Sequence, residues 1–79
     1  IILFLIKNFL TQIFFNSENS LINLERLDLS YNLIESLNKY SFKSLVKLNE
    51  INLESNKIKF IELSTFESLL YLIEIKLNN

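Results

Sequence analysis

One pattern is written twice between positions 24 and 71 of this 79-residue chain. The members of the pattern are apolar except for one asparagine, and each residue of the first copy has a counterpart 24 positions later. The first copy is Leu24, Leu27, Leu29, Asn32, Ile34, Leu37, Phe42 and Leu45; the second is Leu48, Ile51, Leu53, Asn56, Ile58, Ile61, Phe66 and Leu69. Self-similarity at one fixed offset predicts two copies of a single structural unit that stack on each other.

The same register continues toward both ends of the chain. The pattern positions 24 residues earlier are occupied by Leu3, Leu5, Asn8, Leu10, Ile13 and Leu21. The positions 24 residues after Leu48, Ile51 and Leu53 are occupied by Leu72, Ile75 and Leu77. The aromatic position is not conserved in the copy that precedes Leu24, where Glu18 stands in place of phenylalanine. We therefore predict one array without caps, made of repeats 1–23, 24–47 and 48–71 and a partial copy at 72–79.

Each repeat is predicted to open with a short strand. Residues two apart, such as Leu27 and Leu29, point to the same side of a strand. The expected strands are 3–5, 26–30, 50–54 and 74–77, and stacking of the repeats sets them side by side as a parallel sheet. The leucine and isoleucine columns of that sheet would face the interior.

An asparagine follows every complete strand, at Asn8, Asn32 and Asn56. At that point the chain leaves the strand and turns, so its backbone polar groups need partners. An inward amide supplies both a donor and an acceptor to such groups. We interpret these residues as a structural asparagine ladder; a role as ligands is the alternative.

The second half of each repeat carries a column of hydroxyl residues, Ser17, Ser41 and Thr65. Each precedes a short stretch suited to a single helical turn, so the hydroxyl residues are predicted to be N-caps of α or 3₁₀ turns. Phe42 and Phe66 would then fill the core on that side. Buried aromatic rings usually contribute packing energy, so we do not expect a base-stacking platform.

These spacings resemble the typical, 24-residue class of leucine-rich repeat, and the chain is similar to the ectodomains of Toll and Toll-like receptors and related adhesion proteins. The resemblance implies an α/β solenoid: a curved parallel sheet on the concave side, and short helical or 3₁₀ turns and loops on the convex side. It also implies protein binding through the concave face, outside the cell or at its surface. The chain lacks the Cys-rich caps and the N-x-[ST] sites of many such ectodomains, so we expect a fragment of a longer array.

In this family recognition would fall to the positions between the inward residues. The candidate binding residues are Arg26, Asp28, Ser30, Tyr31, Glu50, Asn52, Glu54, Glu74 and Lys76. Tyr31 and Arg26 are the best single candidates, because tyrosine and arginine are enriched at binding hot spots. The alternative interpretation is a solvated charged face, on which Arg26 pairs with Glu50 and contributes at most about 1 kcal/mol.

The first strand differs from the others, because its outward residues Ile2, Phe4 and Ile6 are all apolar. Exposed apolar patches are usually covered. Three explanations stay open: a cap upstream, a hydrophobic partner or ligand, or a leader segment that is not a repeat. A membrane span is not expected, because Lys7 interrupts an apolar run that is already short of about 18 residues.

Composition argues against several classes of function. The chain has no Cys, His or Gly, so we expect no enzyme, no cofactor and no metal site. Its net charge of −1 gives no reason to expect nucleic acid. The expected partner is a protein, with any membrane contact made by segments outside this chain. An intracellular scaffold or regulatory subunit, located in the cytoplasm, is the alternative to an ectodomain.

Overall fold

The computed structural model of the chain describes residues 2–13 and 21–78. Its strands are β1 (Ile2–Phe4), β2 (Arg26–Asp28), β3 (Ser36–Leu37), β4 (Glu50–Asn52), β5 (Phe60–Ile61) and β6 (Glu74–Lys76). A 3₁₀ helix, η1, spans Leu63–Phe66. The elements recur with the spacing of the sequence pattern, one strand of the main sheet for each repeat.

The main sheet has the strand order β1-β2-β4-β6, and every pairing in it is parallel. Leu3 lies opposite Leu27, Leu27 opposite Ile51, and Ile51 opposite Ile75. Each partner is therefore the residue one period later, and the predicted parallel sheet is confirmed. The boundaries between repeats 1–23, 24–47, 48–71 and 72–79 stay a prediction.

The strands are shorter than the sequence predicts. β2 ends at Asp28 instead of residue 30 because the Asp28 Oδ1 atom accepts the backbone N–H of Ser30 at 3.0 Å. Asn52 Oδ1 accepts the N–H of Glu54 at 3.0 Å in the same way, and β4 ends there. Backbone bonding between the coils nevertheless continues past these points, since Leu29 N–H donates to the carbonyl of Asn52 at 2.8 Å.

A second parallel sheet follows the asparagine turns, and the sequence did not predict it. β3 and β5 pair with Ser36 opposite Phe60 and Leu37 opposite Ile61. Leu37 is fully buried, whereas Phe60 is exposed. Two-residue strands of this kind leave too short an alternation to be recognised in the sequence.

The core lies between the main sheet and the return half of each coil. Its buried members are the inward columns of the repeat: Ile13, Leu24, Leu27, Leu29, Ile34, Leu37, Phe42, Leu45, Leu48, Ile51, Leu53 and Leu69. The rings of Phe42 and Phe66 stack with their centroids 6.0 Å apart, so the phenylalanine column is packed in the core. Burial of each such large side chain contributes about 1.5–3 kcal/mol.

The helical turn η1 confirms short 3₁₀ structure on the convex side, but the predicted hydroxyl caps are wrong. Thr65 lies inside η1, and the N-cap residue is Glu62, which makes no side-chain capping bond. Ser41 Oγ accepts the backbone N–H of Asn38, three residues before it, at 3.0 Å. A cap would accept an N–H that follows it, so these hydroxyls act differently. Ser17 and Glu18 lie outside the described residues.

Candidate functional site

The asparagine ladder fixes the edge at which each coil leaves the sheet. Asn32 is buried; its Oδ1 accepts N–H groups of the preceding coil, from Asn8 at 2.9 Å and Leu10 at 3.1 Å. Its Nδ2 donates to the carbonyl of Leu5 at 2.8 Å and to that of Leu29 at 2.9 Å. One amide thus satisfies backbone groups of two coils at once.

The next coil repeats this geometry. Asn56 Nδ2 donates to the carbonyls of Leu29 at 3.0 Å and Leu53 at 2.9 Å, and its Oδ1 accepts the N–H of Ile34 at 3.1 Å. Asn8 differs: it is exposed, and its Nδ2 donates to the carbonyl of Ile6 at 3.3 Å. The amides of Asn32 and Asn56 therefore join adjacent coils, while that of Asn8 makes a local contact.

The residue before each asparagine adopts a left-handed backbone. Lys7 has φ 59°, and Tyr31 and Ser55 each have φ 57°. This conformation costs a residue with a side chain about 1–2 kcal/mol. Sequence reasoning missed it, because none of the three is a glycine or asparagine that would signal the conformation. Its recurrence at one position of the repeat shows that the turn into the ladder imposes it.

The outward residues of the main sheet form two rows across the strands. The first row is Ile2, Arg26, Glu50 and Glu74; the second is Phe4, Asp28, Asn52 and Lys76. Neighbouring strands are about 4.8 Å apart, so adjacent side chains within a row are close enough to interact. Arg26 Nη2 lies 3.6 Å from Glu50 Oε1, which is the expected ion pair.

Two residues of the second row, Asp28 and Asn52, are held by hydrogen bonds to the bends that follow their strands. Asp28 Oδ1 accepts the Ser30 hydroxyl at 2.7 Å in addition to the Ser30 N–H. Ser30 is only 5% exposed, so it offers little accessible surface on the open face, and its role in binding stays a prediction. Asn52 is held in the same way through the N–H of Glu54. The side-chain conformations of Asp28 and Asn52 are therefore fixed in the chain without a partner.

A groove of about 130 Å³ crosses the first three strands of this face. Its apolar side is formed by Ile2 and Phe4, and Leu27 also lines it. The predicted site residues that it brings together are Arg26, Asp28, Glu50 and Asn52. Tyr31, Glu54, Glu74 and Lys76 do not line it. Of the predicted binding residues, four thus share one concavity with the exposed apolar residues Ile2 and Phe4.

Tyr31 lies on the left-handed turn after β2, outside the lining of this groove. The residue is 58% exposed, and the Lys7 Nζ lies 5.7 Å from the centroid of its ring. A cation within about 6 Å of a tyrosine face is attracted to it. The contact restrains an exposed ring, which is the kind of side chain that anchors an interface.

Three apolar residues of the first coil that the sequence predicts to face outward are exposed, Ile2 at 46%, Phe4 at 62% and Ile6 at 38%. β1 nevertheless pairs with β2 in the same register as the other strands. The interpretation of this segment as a leader that is not a repeat is therefore wrong. Ile2 and Phe4 belong to the sheet and line its groove, whereas Ile6 lies after the end of β1.

A larger concavity of about 310 Å³ lies on the other side of the molecule, beside η1. It is lined by Lys39, Lys43, Ser64, Glu67 and Ser68. The lysines also lie over the ring of Tyr40, with Nζ to centroid distances of 5.1 and 5.4 Å. None of the predicted binding residues lines this concavity, so its larger volume does not make it a better candidate than the groove for the binding site.

Two further features concern the part of the chain that the structure describes. Among residues 2–13 and 21–78, no group of three acidic side chains is placed to hold a metal ion. Over the same ranges, no helix has the length and apolar character needed to cross a membrane.

The family model described as Leucine rich repeat matches residues 2–58. The chain belongs to the leucine-rich repeat family. Comparison with curated proteins and comparison with solved structures gave no match. Members of this family generally act as non-enzymatic protein-interaction modules, and the repeat in this chain indicates a protein-interaction module.

Proposed function

We propose that this leucine-rich repeat chain binds a protein partner through the open face of its main sheet, as part of a receptor or adhesion ectodomain. The observation that carries the proposal is the groove, in which exposed Ile2 and Phe4 meet the polar residues Arg26, Asp28 and Glu50. Interfaces combine an apolar centre with a polar rim in this way.

The polar part of the groove favours a specific interface. Asp28 and Asn52 are fixed by hydrogen bonds to the following turns, so little side-chain entropy is lost when a partner contacts them. Arg26 has a side-chain exposure of 54% and remains accessible although it pairs with Glu50. Tyr31 adds an exposed aromatic residue on the turn that follows β2.

The size of the groove argues against a hydrophobic small-molecule ligand. Pockets for such ligands enclose about 300–1,000 Å³ and bury most of the ligand. This groove has about 130 Å³ and is open to solvent. Its shape suits one or two side chains of a protein surface. The Phe4→Asp variant provides the test: hydrophobic-dye binding that this substitution abolishes would favour the small-ligand alternative.

The proposed location is extracellular or at the cell surface, and it rests on the resemblance to Toll-like ectodomains. An intracellular scaffold would present the same face. The reading frame on either side of these residues separates the two. A signal peptide, Cys-rich caps and a membrane span would support the ectodomain, and their absence from a complete frame would support the scaffold.

Selection from a displayed library of random 12-residue peptides tests where the chain binds. Tyr31→Ala and Arg26→Ala should each weaken the selected peptides by at least about fivefold, since hot-spot truncations cost more than about 1 kcal/mol. Tyr40→Ala and Lys57→Ala are matched controls on other surfaces, since Tyr40 and Lys57 are also exposed. Peptides that respond to the controls and not to the sheet variants would overturn the proposal.

A further inference from the structure

From the arrangement of the two rows we propose that the partner is an extended protein segment with an apolar side chain and a Lys or Arg three or four residues apart. The apolar side chain contacts Ile2 and Phe4, and the cation lies between Glu50 and Glu74. This inference rests on the proposed function and adds the chemistry of the partner to it.

The apolar contact follows from where Ile2 and Phe4 are exposed. Both lie in the outward rows of the sheet, in register with Arg26 and Asp28. A coil stacked against the free edge of β1 would extend the sheet sideways and would leave these outward side chains uncovered. Only an occupant on the open face covers them. That occupant also reaches the polar residues, because Ile2 and Phe4 line the same groove.

The cationic contact follows from the charges along the first row. Glu50 and Glu74 lie opposite each other on adjacent parallel strands. Like charges in that relation repel. Arg26 lies on the far side of Glu50, and within residues 2–13 and 21–78 Glu74 makes no ion pair. A cation from a partner placed between the two carboxylates removes the repulsion and gains two attractive contacts.

The spacing of the two contacts determines the spacing in the partner. From β1 to the gap between β4 and β6 is two and a half strand separations, or about 12 Å at about 4.8 Å each. An extended chain advances about 3.3–3.6 Å per residue. A segment that crosses the strands therefore spans the distance in three or four residues, in either chain direction.

The 12-residue displayed library, selected against the 79-residue chain, tests this chemistry directly. Selected peptides should be enriched in an aromatic or large aliphatic residue three or four positions from Lys or Arg, relative to spacings of two or seven. The same selection against the Glu74→Arg variant should lose that basic preference by about fivefold, the ratio for an exposed ion pair of about 1 kcal/mol. Glu67→Arg, the same change on the convex side, should retain it.

The outcomes separate this inference from the proposed function. Peptides that depend on Phe4 but show no basic preference, or keep it in Glu74→Arg, overturn the inference and leave binding at the open face intact. Peptides that are indifferent to Phe4→Asp overturn both, and so does a library that yields no binder. Phe4 and Glu74 are exposed, so both variants should fold, and circular dichroism verifies this.

Discussion

The side-chain oxygen of Asn32 accepts the backbone N–H of Asn8, which lies 24 residues earlier, at 2.9 Å. The same amide donates to the carbonyl of Leu5 at 2.8 Å. A single buried side chain thus replaces water for backbone groups that the curved stack would otherwise leave unpaired. The need to pair these backbone groups determines the position of the asparagine in the repeat.

Replacement of Asn32 by alanine should therefore destabilise the chain strongly. The substitution removes the partner of two backbone N–H groups, those of Asn8 and Leu10, and of the Leu5 carbonyl. The Leu29 carbonyl keeps the Asn56 amide as a donor. Each unsatisfied buried group costs about 1–3 kcal/mol, so we expect a loss of at least about 2 kcal/mol in the free energy of unfolding. Urea denaturation followed by circular dichroism measures it. Asn8→Ala is the matched control and should cost well under half as much, because Asn8 is exposed.

Two hydroxyls at one position of the repeat should respond oppositely to removal. Thr65 Oγ1 is buried and, within the described part of the chain, has no hydrogen-bond partner. Thr65→Val keeps the shape of the side chain and removes the unsatisfied group, so stability should be unchanged or rise by about 1 kcal/mol. Ser41→Ala removes the acceptor for the Asn38 N–H and should cost about 1 kcal/mol. Equal losses in both variants would refute this assignment.

The left-handed turn at Ser55 predicts a stabilising substitution. Glycine adopts a positive φ without the penalty that a Cβ atom brings, although it has more entropy to lose on folding. For Ser55→Gly, where φ is 57°, we expect a net gain of up to about 1 kcal/mol. Ser36→Gly, in strand β3, is the control and should lose about 0.5–1 kcal/mol. Thermal unfolding of both variants decides, and a loss at Ser55 as large as that at Ser36 would contradict the expectation.

The strand register could be predicted from the sequence because it depends on one quantity, the repeat length. Once Leu27 and Ile51 occupy equivalent positions, burying both in one column requires that they lie opposite each other. The free energy of burial is large compared with any local preference, so the pattern of apolar residues decides the pairing. The outward rows, and with them the ion pair of Arg26 with Glu50, follow from the same register.

Features that depend on single side-chain contacts could not be predicted in this way. The end of β2 depends on the bonds from Ser30 to Asp28 Oδ1, which the apolar periodicity does not predict. The left-handed turn at Tyr31 carries no glycine signal. The groove could be predicted only in part. The sequence showed that the outward residues of β1 are apolar, but their proximity to Arg26 and Asp28 depends on the pairing of β1 with β2.

The ion pair between Arg26 and Glu50 is expected to contribute little to stability. The side chains are 54% and 26% exposed and lie 3.6 Å apart at their nearest atoms. A double-mutant cycle with Arg26→Ala, Glu50→Ala and the double variant should give a coupling of at most about 1 kcal/mol. The coupling should fall further as salt is raised from about 0.1 M to about 1 M, because the Debye length shortens from about 10 Å to about 3 Å and becomes comparable with the separation of the charges. A coupling near 3 kcal/mol would show that the pair holds the sheet together. A small coupling means that both charges can change partners at little cost, as an interface across this row requires.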